Sequence, residues 1–364
     1  MKKQLPLIIL LLVTGIHTAF SQKYSNEFLA IGVGARAHGM SGAQTAVTSD
    51  ITAAYWNPAG LTEIEAPFQV AAMHAEWFAG VGQYDYLSFG KALNREHKSF
   101  LAFSLVRLGI DNIPYTINLV NPDGTINYDN VTEFSAADYA LFGSYARKLK
   151  NPAFAIGGSV KVVRRVIGSI GSAWGFGADL GVQYRKGNLM LGLMGRDLTT
   201  TFNAWSFNLT EREKEVFANT GNEIPVSNTE ITKPRFILGA AYKLRAGTKV
   251  SLLPALDFEW TTDGQRNVLI SSKSFNIDAR MGIEADYDGF VQLRVGAGNF
   301  QRVKDDFHPE KKSLNFQPNF GVGIRLGRVQ LDYALTDIGN VSQVQYSHIF
   351  SLRLDFKERK QAGQ

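Results

Sequence analysis

The chain has no cysteine in 364 residues. An exported protein without cysteine has no disulfide framework, and without a cysteine at its cleavage site it is not a lipoprotein. A dominant charge is also missing. Lys and Arg total 38 against 33 Asp and Glu, a net of +5, which falls to +3 (5 − 2) when Lys2 and Lys3 leave with an export signal that holds no acid. So mild an excess excludes nucleic acid as a partner class. Beyond the N-terminus no uncharged run reaches the ~18 apolar residues of a spanning helix. The six histidines, at 17, 38, 74, 97, 308 and 348, form no HExxH or other metal spacing. There is no G-x-S-x-G elbow. Gly32-x-Gly34 lacks the third glycine and the βαβ setting of a dinucleotide loop. No catalytic residue, metal or cofactor is assigned, and the chain is not read as an enzyme.

What is present begins with an export signal. Lys2 and Lys3 form a positive n-region, Leu5 to Val13 an apolar run, and Ala19-Phe20-Ser21 a small-x-small site. Residues 1–21 therefore read as a signal peptide cut between Ser21 and Gln22, the apolar stretch being short for an anchor. The mature chain is then either secreted and soluble or a membrane barrel.

Strand periodicity decides between them. Phe275, Ile277, Ala279, Met281, Ile283, Ala285 and Tyr287 alternate with Asn276, Asp278, Arg280, Gly282, Glu284 and Asp286. One face is apolar and the other polar or glycine, at period two. Phe350 to Phe356, Trp174 to Tyr184 and Val250 to Trp260 repeat the pattern. These runs exceed the 5–6 residues common in soluble strands and match the ~9–11 of a tilted membrane strand. About fourteen such segments fit the barrel range. They begin near Pro67, Tyr84, Phe100, Phe134, Ala153, Ala173, Leu189, Phe236, Val250, Ser274, Phe290, Asn315, Val329 and His348. The expected fold is an all-β transmembrane antiparallel barrel over 67–356, with a periplasmic tail at 357–364. Pro254 and Pro318 should mark bulges or strand ends.

Link lengths supply orientation. Arg147 to Pro152, Arg185 to Asn188, Arg245 to Lys249, Asp288-Gly289 and Gly327-Arg328 are short, whereas Gly109 to Glu133, Thr200 to Arg235 and Phe300 to Leu314 are long. Outer-membrane barrels have short periplasmic turns and long extracellular loops. Both termini are thus expected in the periplasm of a bacterial outer membrane. Trp77, Trp174, Phe236 and Trp260 are expected in the outer aromatic girdle, and Tyr145, Tyr184, Tyr242 and Tyr287 in the inner one. The Lys- and Arg-rich inner turns read as solvated.

Residues 22–66 differ in character. They are rich in small residues, show no long alternation, and are too many for a simple lead-in. A segment tucked into the lumen accounts for them, with Asn57-Pro58-Ala59-Gly60 as a sharp turn. The phrases FLAIGVGARAHGMSGA (28–43) and AAYWNPAGL (53–61) resemble the N-terminal signature of the PorV/PorQ family, within the wider FadL-like barrels. The resemblance implies a barrel plugged by an N-terminal hatch whose motif residues are Gly32, Gly34, Arg36, Gly39, Gly42, Trp56, Asn57, Pro58, Ala59 and Gly60. It further implies a role in type IX secretion, with machinery or cargo C-terminal signal domains as partners and outer-membrane lipid as surroundings. Only 28–61 match at motif level, and the signature defines a broad family.

Two functions follow, in different classes. One is a protein-binding barrel docking cargo or machinery through extracellular loops, where Tyr115, Trp205, Phe207, Arg212, Lys214 and Phe217 are candidate contacts. The other is a FadL-like channel for a hydrophobic small molecule, which requires a continuous apolar pocket.

Overall fold

The computed structural model describes residues 25–77, 80–94, 99–121, 123–304, 312–336 and 346–356. The expected signal peptide and C-terminal tail lie outside these. Fourteen antiparallel strands close into a barrel. They are β1 (Phe68–Trp77), β2 (Gly82–Ala92), β3 (Ser99–Tyr115), β4 (Thr132–Lys148), β5 (Phe154–Ile167), β6 (Gly171–Lys186) and β7 (Leu189–Arg196). There follow β8 (Arg235–Tyr242), β9 (Val250–Thr261), β10 (Asn276–Tyr287), β11 (Val291–Lys304), β12 (Lys312–Leu326), β13 (Val329–Thr336) and β14 (Ser347–Phe356). Each pairs with its sequence neighbours, and β1 closes on β14 from Phe68↔Phe356 to Glu76↔His348. Closure leaves no open edge along the spanning wall. Every expected start lies within three residues of the observed one, the largest offset being Asn315 against Lys312.

Period-two patterning sorts the side chains. On β6, Trp174, Phe176, Leu180 and Val182 are exposed on the outer wall, while Asp179 and Gln183 are buried inside. On β10, Met281, Ile283 and Tyr287 face out, and Asn276 and Glu284 face in. The outward row forms the apolar band that lipid requires. The two prolines sit where pairing falters. Pro254 lies opposite the break between β8 and the short strand Leu244–Ala246, and Pro318 pairs with Ala297 next to a register shift between Gly298 and Gln301.

One expectation needs correction. Trp77 is not in the outer girdle: its parity on β1 is that of the buried Met73 and Ala75, and its ring packs 5.7 Å from that of His38. The long link 200–235 carries secondary structure of its own. Thr201–Phe207 pairs with β6 and with Thr229–Thr232, and an α-helix spans Glu211–Asn219. Thr210 caps that helix, its hydroxyl accepting from Glu213 N at 3.2 Å while Glu213 reaches back to Thr210 N at 2.6 Å. This capping box is the T-x-x-E spacing at 210–213.

Candidate functional site: the filled lumen and the long-loop platform

Residues 25–66 pack among the inward-facing side chains of strands all around the barrel. Gly34 N approaches Met73 Sδ on β1, Ala35 N donates to Ser351 Oγ on β14 at 2.8 Å, and Gln44 N donates to Asp257 Oδ2 on β9 at 3.0 Å. Val33, Ala35, Tyr55 and Trp56 join Tyr84, Tyr86, Val106, Phe142 and Ile349 in one buried apolar cluster. The polar inner wall expected of a water-filled barrel is therefore half apolar here, because it faces protein rather than solvent.

The close fit depends on glycines in the wall. Pro58 passes Gly157, Asn57 passes Gly181, Thr45 passes Gly192 and Gly239, and Gly39 meets Gly321. A Cβ on Gly282 would stand 2.6 Å from Met40 Cβ, and one on Gly296 would stand 2.5 Å from the Met40 carbonyl carbon. Such overlaps cannot be relieved without moving the segment.

The motif residues have distinct places in this packing. Gly32 and Gly34 adopt φ of 97° and 90°, a region costly for other residues, and Gly42 has φ 78°. Arg36, on the helix Ala35–Gly39, makes a bidentate pair with Glu284 at 2.7 and 2.9 Å. Trp56 Nε1 donates to the Val33 carbonyl at 2.8 Å, tying the two signature phrases together. Asn57 is fully buried and begins the 3₁₀ turn Pro58–Glu63. Its amide nitrogen donates to Thr45 O at 2.9 Å and Val182 O at 3.1 Å, and its oxygen accepts from Ala59 N at 3.2 Å. Gly60 closes the turn with no room for a side chain, a Cβ falling 2.5 Å from Thr48 O.

Charge in the lumen is paired. Arg294 joins Glu284 and Asp332 at 2.6 Å each, and Lys161 joins Asp179 at 2.8 Å and Asp197 at 2.6 Å. Asp50 meets Arg353 at 2.8 Å. Burial would raise the Asp50 carboxyl, but Arg353, Arg36 and hydrogen bonds from Thr52 hold it below its ordinary value. Burial lowers His38 to about 4, against a weaker opposing hydrogen bond with the Gly32 carbonyl. Arg196 lies over the rings of Tyr55 and Trp56 at 4.5 and 5.4 Å, a contact with no signal in the sequence. Cavities of about 370 Å³ and 260 Å³ flank the segment, toward the short-turn and long-loop ends respectively.

The loop candidates divide. Trp205 is buried, stacked on Phe207 at 5.5 Å and covered by Arg165 at 5.1 Å, so it supports the loop instead of facing a partner. Tyr115 donates its hydroxyl to Glu213, and Arg212 donates to the Val120 carbonyl at 3.0 Å. These contacts join the two long loops into one platform. Burial opposes ionisation of Glu213, but Tyr115 and Thr210 hold its carboxyl below the ordinary value. Lys214 pairs with Glu211 at 2.7 Å, and Phe217 is partly covered. The apolar groups that the platform exposes were not singled out in the sequence: Ile126 is 61% exposed, Tyr128 76% and Val226 68%.

No known family model matches the chain, and no curated protein sequence does. Solved structures do match. The CymD monoaromatic hydrocarbon channel superposes with a TM-score of 0.56 at 12% identity, covering 92% of this chain and 100% of its own. The toluene transporter TbuX of Ralstonia pickettii gives 0.54 at 12%, over 89% and 98%. A FadL homologue of Pseudomonas aeruginosa gives 0.51 at 14%, over 88% and 97%. At such identities the likeness is one of fold: the chain has the fold of the FadL-like outer-membrane barrels. The FadL-like part of the resemblance is thereby supported, and the PorV/PorQ part is not touched by these names.

Proposed function

We propose that this protein is an outer-membrane barrel of the PorV/PorQ kind that binds secreted cargo or type IX secretion machinery through its extracellular loops. The observation that carries the reading is the platform. Two long loops locked together by Tyr115–Glu213 and Arg212–Val120 hold Ile126, Tyr128 and Val226 in solvent, apolar side chains available as anchors for a protein partner. The signature at 28–61 supports it. So does the outer wall of β1–β3, where His74 Nδ1 meets Asp85 at 2.7 Å and Arg107 donates to Asp85 at 2.9 Å. This outward-facing charged cluster near the outer strand ends offers polar contacts to a protein neighbour. The test is to place Asp at Tyr128 and Val226 together. Co-purification with cargo signal domains or attachment components should fall while the barrel stays folded, and unchanged recovery refutes the reading.

The second reading, a channel for a hydrophobic small molecule, is the one that the named neighbours back more directly. A specific feature also favours it: an apolar groove of about 480 Å³ on the outer wall, lined by Ala72, Val322, Leu331, Phe350 and Leu352. It would require the N-terminal segment to move, since that segment fills the lumen. Uptake of toluene or a fatty acid that depends on this barrel would establish it.

A further inference from the structure

The cavity at the long-loop end has a chemistry that neither reading uses. Its apolar side is formed by Trp56, Trp77, Ala30 and Ile31. Its polar side is formed by Asp278, Arg280, Asn299, Gln317, Asn319 and Thr336. Planar carboxylate, guanidinium and amide groups thus face indole rings across about 260 Å³.

Two atoms in this lining are buried with no hydrogen-bond partner among the described residues, Asp278 Oδ1 and Thr336 Oγ1. Buried polar atoms are nearly always paired, so each marks a place where another group belongs. The rest of the polar side is held in place. Asn319 Nδ2 donates to Ser41 Oγ at 2.5 Å, and Asn299 Nδ2 donates to Gln317 Oε1 at 3.2 Å. Ser41 and Asn299 both sit at left-handed φ, 52° and 51°, Asn299 within the β11 bulge. Asparagine tolerates that region, whereas Ser41 is held there by its surroundings.

Among the groups of the lining itself, one carboxylate, Asp278, faces one guanidinium, Arg280, and His38 is held neutral by burial. Arg280 pairs with Glu259, and its Nε lies 3.7 Å from Asp278 Oδ2. A neutral ligand is therefore favoured over an ion. It must present hydroxyls that donate to Asp278 and exchange hydrogen bonds with Thr336, and an apolar ring face to lie against indole. The volume is below the ~300–1,000 Å³ of drug-sized sites and suits one sugar ring. We propose that this cavity binds a neutral saccharide unit, at the long-loop side of the plug, where Ser25 and Asn26 also bond to Asn203, Glu230 and Thr232. The proposal stands independently of the docking and channel readings.

The experiment uses the full-length protein in a sugar-free detergent such as lauryldimethylamine oxide. Glucose, N-acetylglucosamine and maltose are titrated by calorimetry and tryptophan fluorescence against the wild type, Thr336→Val and Asp278→Asn. Thr336→Val keeps shape and removes a hydroxyl with no partner among the described residues, so folding should survive it. Should Asp278→Asn fail to fold, Thr336→Val decides alone. The expected result is saturable binding of at least one sugar, weakened about tenfold in a folded variant, as loss of a hydrogen bond to a buried group implies. No saturable binding of any of the three sugars, or equal affinity in every folded variant, overturns the proposal.

Discussion

Asn57 Nδ2 donates to the carbonyl of Val182 across 3.1 Å, joining the N-terminal segment directly to the backbone of a wall strand. The same nitrogen donates to Thr45 O at 2.9 Å, so one amide pins a turn, a neighbouring loop and β6 together. Asn57→Leu should leave those carbonyls unpaired, at about 1–3 kcal/mol for a buried group. The segment should become protease-sensitive in a barrel that still migrates as folded on a gel. Undiminished protection would show that the amide is dispensable.

The wall glycines make a complementary prediction. Gly282→Val adds bulk where Met40 already lies, and overpacking of this kind costs typically about 1–3 kcal/mol. The side chain points inward, so strand pairing and the lipid face are untouched. Limited proteolysis should release the N-terminal segment while the barrel persists, and reconstituted protein should conduct more than wild type. Equal conductance and equal protection would show that the wall yields instead.

Acid should loosen the same segment. His38 is held neutral when packed, at about 4 against an ordinary 6.5. The undocked segment therefore binds a proton that the docked one does not, between these two values. Docking stability is complete above pH 6.5 and falls as pH drops toward 4, by about 1.4 kcal/mol per unit at most. Asp50, whose carboxyl is lowered, adds a loss only below its unfolded value near 4. Protease sensitivity should therefore rise between pH 6.5 and 4.5 in the wild type and stay flat in His38→Gln, whose amide does not titrate in this range. A rise of equal size in both would assign the effect elsewhere.

Orientation can be read by labelling. A cysteine at Asn208, on the long-loop platform, should react with an impermeant reagent on intact cells, and one at Gly187, in a short turn, should not. The reverse pattern would invert the barrel.

Period two in residues such as Met281, Ile283 and Tyr287 made the barrel legible, because lipid imposes one face on every strand. The phrases at 28–43 and 53–61 made the N-terminal segment legible as a unit. Its partners were not legible, because they are set by contacts across hundreds of positions: Asp50 with Arg353, Arg36 with Glu284, Arg196 over Tyr55. The inward glycines were visible as members of the polar face, yet glycine there fits either an open lumen or a filled one. A tryptophan near a strand end suggests an interface, but the parity of Trp77 turns it inward. An aromatic in a long link suggests a docking group, but the pairing of Thr201–Phe207 with β6, which buries Trp205, has no local signature.

The most direct test of the docking account replaces residues 208–228 with a short flexible linker, sparing the paired strands Thr201–Phe207 and Thr229–Thr232. Loops contribute little to barrel closure, so the variant should assemble and keep its plug protected. The account predicts that it no longer co-purifies with cargo C-terminal signal domains or attachment components from solubilised outer membranes. Retention of those partners, with loss of uptake of a hydrophobic compound instead, would contradict it and establish the channel.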